Sequence, residues 1–273
     1  MKNIQPKQKK GSKKTWEKFI SAKRLKKIRD FSKGKQTPFL IIDLKRVAAK
    51  YQELKRLMPF GKIYYAVKAC PLNDIVKILS DLGSNFDVAS LNEINQVLRL
   101  GVSPSKISFG NTIKKEKDIS YAYQKGIRLF TTDSYSDTYK LARKAPKSNI
   151  IFRILLEGAG ADWPLSRKFG AHPDLIYKLI KEAKGLGLKP YGLSFHVGSQ
   201  QRDIGQWDSA IAMCRYLFDS LKSDGIKLEA INIGGGFPTR YINPTVPMSS
   251  YAKLIKKYLK EDFGTDNMEI ILE

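Results

Sequence analysis

The sequence predicts an α/β fold, a closed (β/α)8 TIM-type barrel. Short apolar runs rich in β-branched residues alternate with longer segments of helical period from Pro38 onward, and this is the pattern of repeated βα units. Eight such runs follow the first predicted helix, which matches the strand number of a closed parallel barrel. No G-x-G-x-x-G motif follows the first run, as it does in an open dinucleotide-binding sheet. The closed barrel is therefore favoured over an open doubly wound sheet.

The predicted elements follow one another along the chain. The strands are the apolar runs at residues 63–68, 85–90, 107–111, 128–132, 149–156, 191–198, 230–236 and 268–273. The helices repeat apolar residues three or four positions apart, at residues 47–57, 91–100, 115–125, 173–184, 206–223 and 249–261. Glycines punctuate helix ends, where a residue that tolerates positive φ is favoured, at Gly83, Gly101, Gly126, Gly185 and Gly225.

Composition excludes several classes of protein. A length of 273 residues with 42% hydrophobic residues excludes a disordered chain and a miniprotein. The sequence has no apolar run of about 18 residues and no signal-peptide core near the N-terminus, so we expect a soluble, cytoplasmic protein without a membrane partner. Two cysteines, Cys70 and Cys214, and two histidines 24 positions apart, His172 and His196, predict neither a disulfide framework nor a metal site.

Residues 1–36 form a predicted basic N-terminal arm outside the barrel. They carry fourteen Lys or Arg residues against two acidic residues and so account for +12 of the net charge of +23. A solvated basic tail is the favoured interpretation. Attraction to nucleic acid by counterion release is the alternative. No helix-turn-helix, zinc finger or aromatic RNA-binding surface accompanies the charge, so nucleic acid is not expected as a partner.

Polar residues end the predicted strands, and in a (β/α)8 barrel that end carries the reacting groups. The residues concerned are Lys68, Asp87, Arg153, His196, the three glycines Gly234, Gly235 and Gly236, and Glu273. Each taken alone has an ordinary structural explanation, such as a lysine that extends to solvent or an aspartate that caps a helix. The glycines alone could form a tight turn, whereas their functional alternative is a cradle of N–H groups for a phosphate. Because all of them fall at one end of the barrel, we predict a single site there.

Four of these strand ends carry motifs that resemble a known family. Tyr-Ala-Val-Lys at 65–68, Phe-Asp-Val-Ala-Ser at 86–90, His-Val-Gly-Ser at 196–199 and Gly-Gly-Gly-Phe-Pro at 234–238 are similar, in this order, to the signatures of the fold type III pyridoxal-phosphate (PLP) decarboxylases. That family has an alanine racemase-like barrel and includes ornithine, lysine, arginine and diaminopimelate decarboxylases. The resemblance runs from about Pro38 to Glu273. The segment 158–170 looks most like bacterial ornithine or lysine/ornithine decarboxylases.

The resemblance implies PLP as the cofactor and a role for each site residue. Lys68 would hold the cofactor as a Schiff base, and Glu273 would pair with the pyridine nitrogen and keep it protonated. An acid there argues against the alanine racemases of the same barrel, which place an arginine near that nitrogen. The other implied roles are stacking on the ring by His196, phosphate binding by Ser199, Gly234, Gly235 and Gly236, and ordering of the lysine by Asp87, Glu93 and Arg153.

The sequence also departs from the family pattern. In the family, the residue matching Glu273 opens a Glu-Pro-Gly-Arg motif, and here nothing follows the glutamate. We therefore expect a fragment that lacks most of the C-terminal β-domain, which in relatives supplies a tyrosine, a cysteine and an acid to the site, the last two across a homodimer interface. Residues 37–44 are predicted to be a strand of that second domain, and residues 45–273 to be the PLP-binding barrel. Cys70 and Cys214 are interpreted as structural thiols.

The resemblance implies PLP-dependent decarboxylation of a basic amino acid by a homodimeric complete protein. The expected reactions are ornithine to putrescine, lysine to cadaverine, or both, in polyamine biosynthesis, with this chain poorly active or inactive on its own. Two alternatives stay open. One is a diaminopimelate or arginine decarboxylase, and the other is a catalytically dead relative that binds a regulator or partner, against which the retained Lys68, His196, Ser199 and glycines argue.

Overall fold

The computed structural model describes residues 20–164, 168–241, 244–264 and 268–273. The chain divides into two compact units, Met1–Asp43 and Leu44–Glu273, and each is described by itself. Leu165, Ser166 and Arg167, which belong to the segment that resembles bacterial ornithine or lysine/ornithine decarboxylases, lie outside the described residues, as do residues 1–19 of the predicted basic arm.

The described part of the first unit contains one helix, Ala22–Ser32. The Ser21 side chain caps it by accepting a hydrogen bond from the Arg24 N–H at 3.3 Å, and Arg24 pairs with Asp43 at 2.9 Å. None of the residues of the helix is buried. The predicted basic arm is thus helical in its second half, because Leu25 and Ile28 recur at helical spacing among its lysines.

The strand predicted over residues 37–44 is not formed. These residues have no regular structure until Leu44, where a helix begins. A strand requires a hydrogen-bonded neighbour, and the described residues offer none to this segment. Its apolar residues Phe39 and Leu40 are exposed instead. The assignment of this run to a second domain stays a prediction.

The second unit is a closed barrel of eight parallel strands, as predicted. Each strand begins within two residues of its predicted position, and most end earlier because their last residues leave the ladder to form loops. The barrel strands are β1 (Gly61–Ala66), β2 (Asn85–Val88), β3 (Ile107–Phe109), β4 (Leu129–Thr132), β5 (Asn149–Arg153), β7 (Lys189–Ser194), β9 (Ala230–Asn232) and β10 (Glu269–Leu272). Their order around the barrel is β1-β10-β9-β7-β5-β4-β3-β2.

A small second sheet forms outside the hydrogen-bonded strands of the barrel. Its two antiparallel strands are β6 (Ala161–Trp163) and β8 (Ser199–Gln201), which follow β5 and β7 in the chain. The sequence analysis did not predict this sheet, because strands of three residues are too short to show alternation.

Helices alternate with the barrel strands, beginning with a helix before β1, and the six predicted helices are confirmed. They are Leu44–Leu57, Leu91–Arg99, Glu116–Gln124, Pro173–Gly185, Gly205–Ser223 and Met248–Phe263. Two further helices of this unit were not predicted, Asn73–Asp81 and Tyr135–Lys144. The helix that follows β2 begins where the Ser90 hydroxyl accepts a hydrogen bond from the Glu93 N–H at 3.3 Å.

A glycine allows β7 and β9 to pair closely. A Cβ at Gly192 would lie 2.2 Å from the carbonyl oxygen of Ala230 on the neighbouring strand, which no side chain permits. The close approach brings the loops after β7 and β9 together at the carboxyl end of the barrel.

Within the described ranges, no helix combines the length and the apolar character needed to cross a membrane.

Candidate active site

A cavity opens at the carboxyl ends of the barrel strands. Five of its lining residues were predicted from the sequence, namely Lys68, Asp87, Arg153, His196 and Glu273. Four others were not, namely Gly110, Thr131, Ser194 and Phe195. The strands that supply the predicted residues are far apart in sequence, so the barrel is what brings these residues together.

Lys68 lies directly after β1, in the short 3-10 turn Val67–Ala69. Val67 is completely buried, whereas Lys68 is exposed. Val67 therefore packs the turn into the core, and Lys68 lies at the cavity mouth.

Asp87 is the acid most deeply placed in the cavity. It lies on β2 and is 5% exposed, and its Oδ1 atom has no hydrogen-bond partner among the described residues. Burial raises the pKa of Asp87 well above its ordinary value, and the nearby charge of Glu273 adds to the effect, while Lys68 and a hydrogen bond from Ser108 oppose it. A Cβ at Gly110 would lie 2.1 Å from Asp87 Oδ1, so glycine at this position makes room for the carboxyl group.

Arg153 ends β5 beside these acids. Its guanidinium carbon lies 5.2 Å from the centre of the Phe169 ring. Burial lowers the pKa of Arg153, and the carboxylates of Glu273 and Asp133 oppose that effect. Arginine keeps its charge in proteins. The cavity therefore holds a fixed positive charge opposite two carboxyl groups.

His196 is held as a neutral ring. Its Nδ1 atom accepts a hydrogen bond from the Gly198 N–H at 3.0 Å, which assigns the ring hydrogen to Nε2. The pKa of His196 is lowered to about 4, mainly by burial; Glu273 opposes this effect, and the positive charges of Arg153 and Lys68 add to it. The imidazole is therefore uncharged at neutral pH.

An NMR titration of His196 is expected to give a midpoint near 4, well below the ordinary value of 6.5. Because the unfolded chain binds this proton more readily than the folded chain does, stability is expected to fall as the pH drops from about 6.5 to about 4. A His172→Gln variant identifies the signal, since the chain has two histidines. A midpoint near 6.5 would contradict the buried, neutral ring.

The glycine loop after β9 is shaped by close backbone contacts. Gly234 and Gly236 have φ angles of +66° and +89°. A Cβ at Gly234 would lie 2.5 Å from the Phe195 carbonyl oxygen, and a Cβ at Gly236 would lie 2.3 Å from the Gly198 carbonyl oxygen. The Gly234 N–H donates to Asn232 Oδ1 at 2.9 Å, whereas nothing in the described part of the chain accepts from the N–H groups of Gly235 and Gly236. These two N–H groups are available to an anion.

Glu273 follows β10 and lies next to this loop. Its backbone N–H donates to the Gly234 carbonyl oxygen at 3.0 Å, and its Oε1 atom accepts from Asn232 Nδ2 at 2.7 Å. The carboxylate thus touches both the cavity and the residue that holds the glycine loop.

Five other predicted residues lie outside the cavity lining, namely the three glycines of the loop described above, Ser199 and Glu93. Ser199 is exposed on β8 and follows Gly198, whose carbonyl oxygen lies against Gly236. Glu93 accepts a hydrogen bond from the Ala89 N–H at 2.7 Å through Oε2, so its carboxylate helps to cap the helix Leu91–Arg99. The roles of both in a site stay predictions.

Gln201 connects the loops around the site and was not predicted. It is completely buried. Its Nε2 atom donates to the carbonyl oxygens of Ala159 at 2.8 Å and Val197 at 2.9 Å, and its backbone N–H donates to the Gly236 carbonyl oxygen at 2.8 Å. One residue therefore ties the loops after β5, β7 and β9 together.

The other missed residues share a signal that the sequence does carry. Ser108, Thr131, Ser194 and Asn232 are buried polar residues inside apolar barrel strands. A polar residue in such a strand has to find a partner or a ligand, because an unpaired buried polar group is costly. Counting polar residues within strands, as well as at their ends, would have found them.

Comparisons with known proteins bear on this geometry. The family model for the pyridoxal-binding domain of pyridoxal-dependent decarboxylases matches residues 44–273. A lysine/ornithine decarboxylase of Selenomonas ruminantium is 36% identical over 213 residues, 78% of this chain and 54% of the relative. Antizyme inhibitor 2 of Xenopus laevis is 36% identical over 200 residues, 73% of this chain and 44% of the relative. The chain spans about half the length of the curated relatives that it matches.

A solved structure shows the similarity in three dimensions. The lysine/ornithine decarboxylase of Vibrio vulnificus, complexed with putrescine, superimposes with a TM-score of 0.85 at 27% sequence identity. The alignment covers 93% of this chain and 67% of that chain. It therefore includes nearly all of the barrel that carries the cavity.

Proposed function

This chain belongs to the family of pyridoxal-dependent decarboxylases, and on that premise we propose that the complete protein decarboxylates a basic amino acid. The predicted resemblance to this family and PLP as the cofactor are both confirmed by the match over residues 44–273. The observation that carries the proposed reaction is the cavity at the barrel mouth, where an accessible lysine, a neutral histidine and two acids meet. The glycine loop beside Glu273 has two N–H groups without an acceptor among the described residues.

The residues present fit PLP. The cofactor carries an anionic phosphate, a pyridine nitrogen and an aldehyde, which require an anion cradle, an acid and an amine. The N–H groups of Gly235 and Gly236 form the cradle, Glu273 is the acid and Lys68 is the amine. Asp87 Oδ1, buried without a partner among the described residues, indicates that a further polar group belongs in the cavity.

Bound PLP supplies an electron-withdrawing protonated ring that stabilises the carbanion left at the substrate Cα when carbon dioxide leaves. Lys68 would hold the cofactor through its side-chain amine until the substrate amine takes its place. Glu273 would accept a hydrogen bond from the ring nitrogen and so favour the protonated ring. Because His196 is neutral, it can stack on the ring without adding a positive charge that opposes this protonation.

The substrate and the setting belong to the same proposal. Ornithine, lysine or both are the favoured substrates, with putrescine and cadaverine as products of polyamine biosynthesis. This preference is supported by the similarity to the Selenomonas and Vibrio enzymes, which are named for lysine and ornithine. A homodimer and a cytoplasmic location stay predictions from the sequence, and the alternatives of an arginine or diaminopimelate substrate stay open.

A second function class is supported by one specific observation. Antizyme inhibitor 2 is as similar to this chain as the Selenomonas decarboxylase is, at 36% identity. A binding protein without decarboxylase activity is therefore the competing proposal. The arrangement of Lys68, His196 and Glu273 around one cavity favours the enzyme.

Reduction with borohydride tests the proposal. The full-length protein loaded with PLP is reduced, digested and mapped, and the label is expected on Lys68. Incubation with ornithine, lysine, arginine and diaminopimelate, followed by separation of the amines, identifies the substrate. A label on any other lysine would refute the assignment of Lys68. PLP bound at Lys68 without any amine product would favour the binding protein.

A further inference from the structure

We propose that Asn232 is a positioning residue that ties the carboxylate of Glu273 to the glycine loop, so that the acid and the anion cradle act as one unit. The inference rests on the proposed function, because it concerns the acid assigned to the ring nitrogen and the glycine loop assigned to the phosphate.

The geometry around Asn232 is a closed set of hydrogen bonds. Asn232 is the last residue of β9 and is 5% exposed. Its Nδ2 atom donates to Glu273 Oε1 at 2.7 Å, and its Oδ1 atom accepts from the Gly234 N–H at 2.9 Å. The Glu273 N–H donates to the Gly234 carbonyl oxygen at 3.0 Å and completes the set.

The two ends of the amide are not interchangeable here. A carboxylate oxygen accepts hydrogen bonds and a backbone N–H donates them, so the NH2 group must face Glu273 and the oxygen must face Gly234. The bond from the amide therefore fixes the orientation of the Glu273 carboxyl group. The Gly234 N–H already donates to this amide. The next two N–H groups of the loop therefore remain to bind an anion.

Loss of Asn232 therefore affects two contacts with the cofactor at once. Without the amide, Glu273 Oε1 and the Gly234 N–H lose the partner that fixes them. The acid and the loop can then move independently. A residue that only filled space in the barrel would affect stability and leave the affinity for PLP and its pH dependence unchanged.

The test compares two variants of Asn232 in the full-length protein. Asn232→Leu removes both hydrogen bonds at similar volume. Asn232→Asp keeps the acceptor for Gly234 but puts a second carboxyl group against Glu273. Asn85→Leu is the matched control, because Asn85 also lies on a barrel strand and donates to a backbone oxygen, that of Ile63 at 3.3 Å, but at the amino end of the barrel.

The measurement is the dissociation constant of PLP, by fluorescence titration between pH 5 and pH 8, together with the absorption spectrum of the bound cofactor. Asn232→Leu is expected to weaken binding about tenfold, in line with the loss of a hydrogen bond to a charged group. Asn232→Asp is expected to bind progressively less tightly as the pH rises, because two facing carboxyl groups need a shared proton. Asn85→Leu is expected to bind like the wild type.

The outcomes separate this inference from the proposed function. Wild-type affinity, pH dependence and spectrum in both Asn232 variants would overturn the role of Asn232 and leave the function standing. If Asn232→Leu does not fold, the pH dependence of Asn232→Asp decides alone. A wild-type protein that does not bind PLP at Lys68 would overturn both the function and the inference.

Discussion

Substitution of Lys114 by methionine is expected to destabilise the barrel by about 3–5 kcal/mol, the range for breaking a buried ion pair. Lys114 is 4% exposed and Asp137 is 2% exposed. The three acceptors of Lys114 Nζ are the Asn111 carbonyl oxygen at 2.8 Å, the Thr131 carbonyl oxygen at 2.6 Å and Asp137 Oδ2 at 2.6 Å. Methionine fills similar space but leaves the Asp137 carboxylate buried without its main partner.

Urea unfolding of single and double variants measures this effect. Lys114→Met combined with Asp137→Leu is expected to recover most of the lost stability, because removing both charges costs much less than leaving one charge buried without its partner. Lys77→Met is the control, since Lys77 forms an exposed ion pair with Asp81 and is expected to cost less than about 1 kcal/mol. Equal losses in the free energy of unfolding for Lys114→Met and Lys77→Met would show that the buried ion pair contributes no more stability than the exposed one.

The barrel was predictable because the hydrophobic pattern of each strand and helix can be recognised within that segment alone. The strand around Ile63 and the strand around Ile231 each read as a short apolar run, and the helices between them repeat apolar residues at helical spacing. The helix Tyr135–Lys144 was missed because Leu141 is its only buried apolar residue. Its other buried residues are polar, namely Asp137 and Thr138. Its helical period is carried by polar residues, which hydrophobic patterns do not detect.

The run at residues 37–44 shows the limit of the same signal. Its apolar residues were sufficient to predict a strand but could not supply a neighbour. In the structure Leu40 is 82% exposed and the helix begins at Leu44. A strand is a property of two segments, so one segment predicts it only when the partner is known.

Position at a strand end correctly predicted which residues meet at the cavity, as for Lys68 and His196. The site was not predictable where the role depends on contacts between distant segments. Asn232 and Glu273 are 41 positions apart, and Gln201 is 42 positions from Ala159, so no local pattern links them. The bond from the Gly234 N–H to Asn232 Oδ1 likewise leaves no mark on the sequence pattern.

Substitution of Gly236 by alanine is expected to weaken PLP binding about 100-fold, which corresponds to about 2.7 kcal/mol. The residue has a φ of +89°, which costs an alanine about 1–2 kcal/mol. The new Cβ would also lie 2.3 Å from the Gly198 carbonyl oxygen and 3.1 Å from Val197 Cγ2. Overpacking of this kind costs about 1–3 kcal/mol, and because the closest obstacle is backbone, the loop has to move to relieve it.

Gly83→Ala separates the cost of the backbone angle from the displacement of the loop. Gly83 has a φ of +91°, nearly that of Gly236, but an added Cβ there meets nothing within 4 Å. It is therefore expected to lower the melting temperature while the dissociation constant of PLP, measured by fluorescence titration, stays at the wild-type value. A loop displaced by that contact cannot present the N–H groups of Gly235 and Gly236 unchanged. If Gly236→Ala lowered stability only as much as Gly83→Ala and bound PLP as tightly as the wild type, the phosphate would therefore have to be held elsewhere.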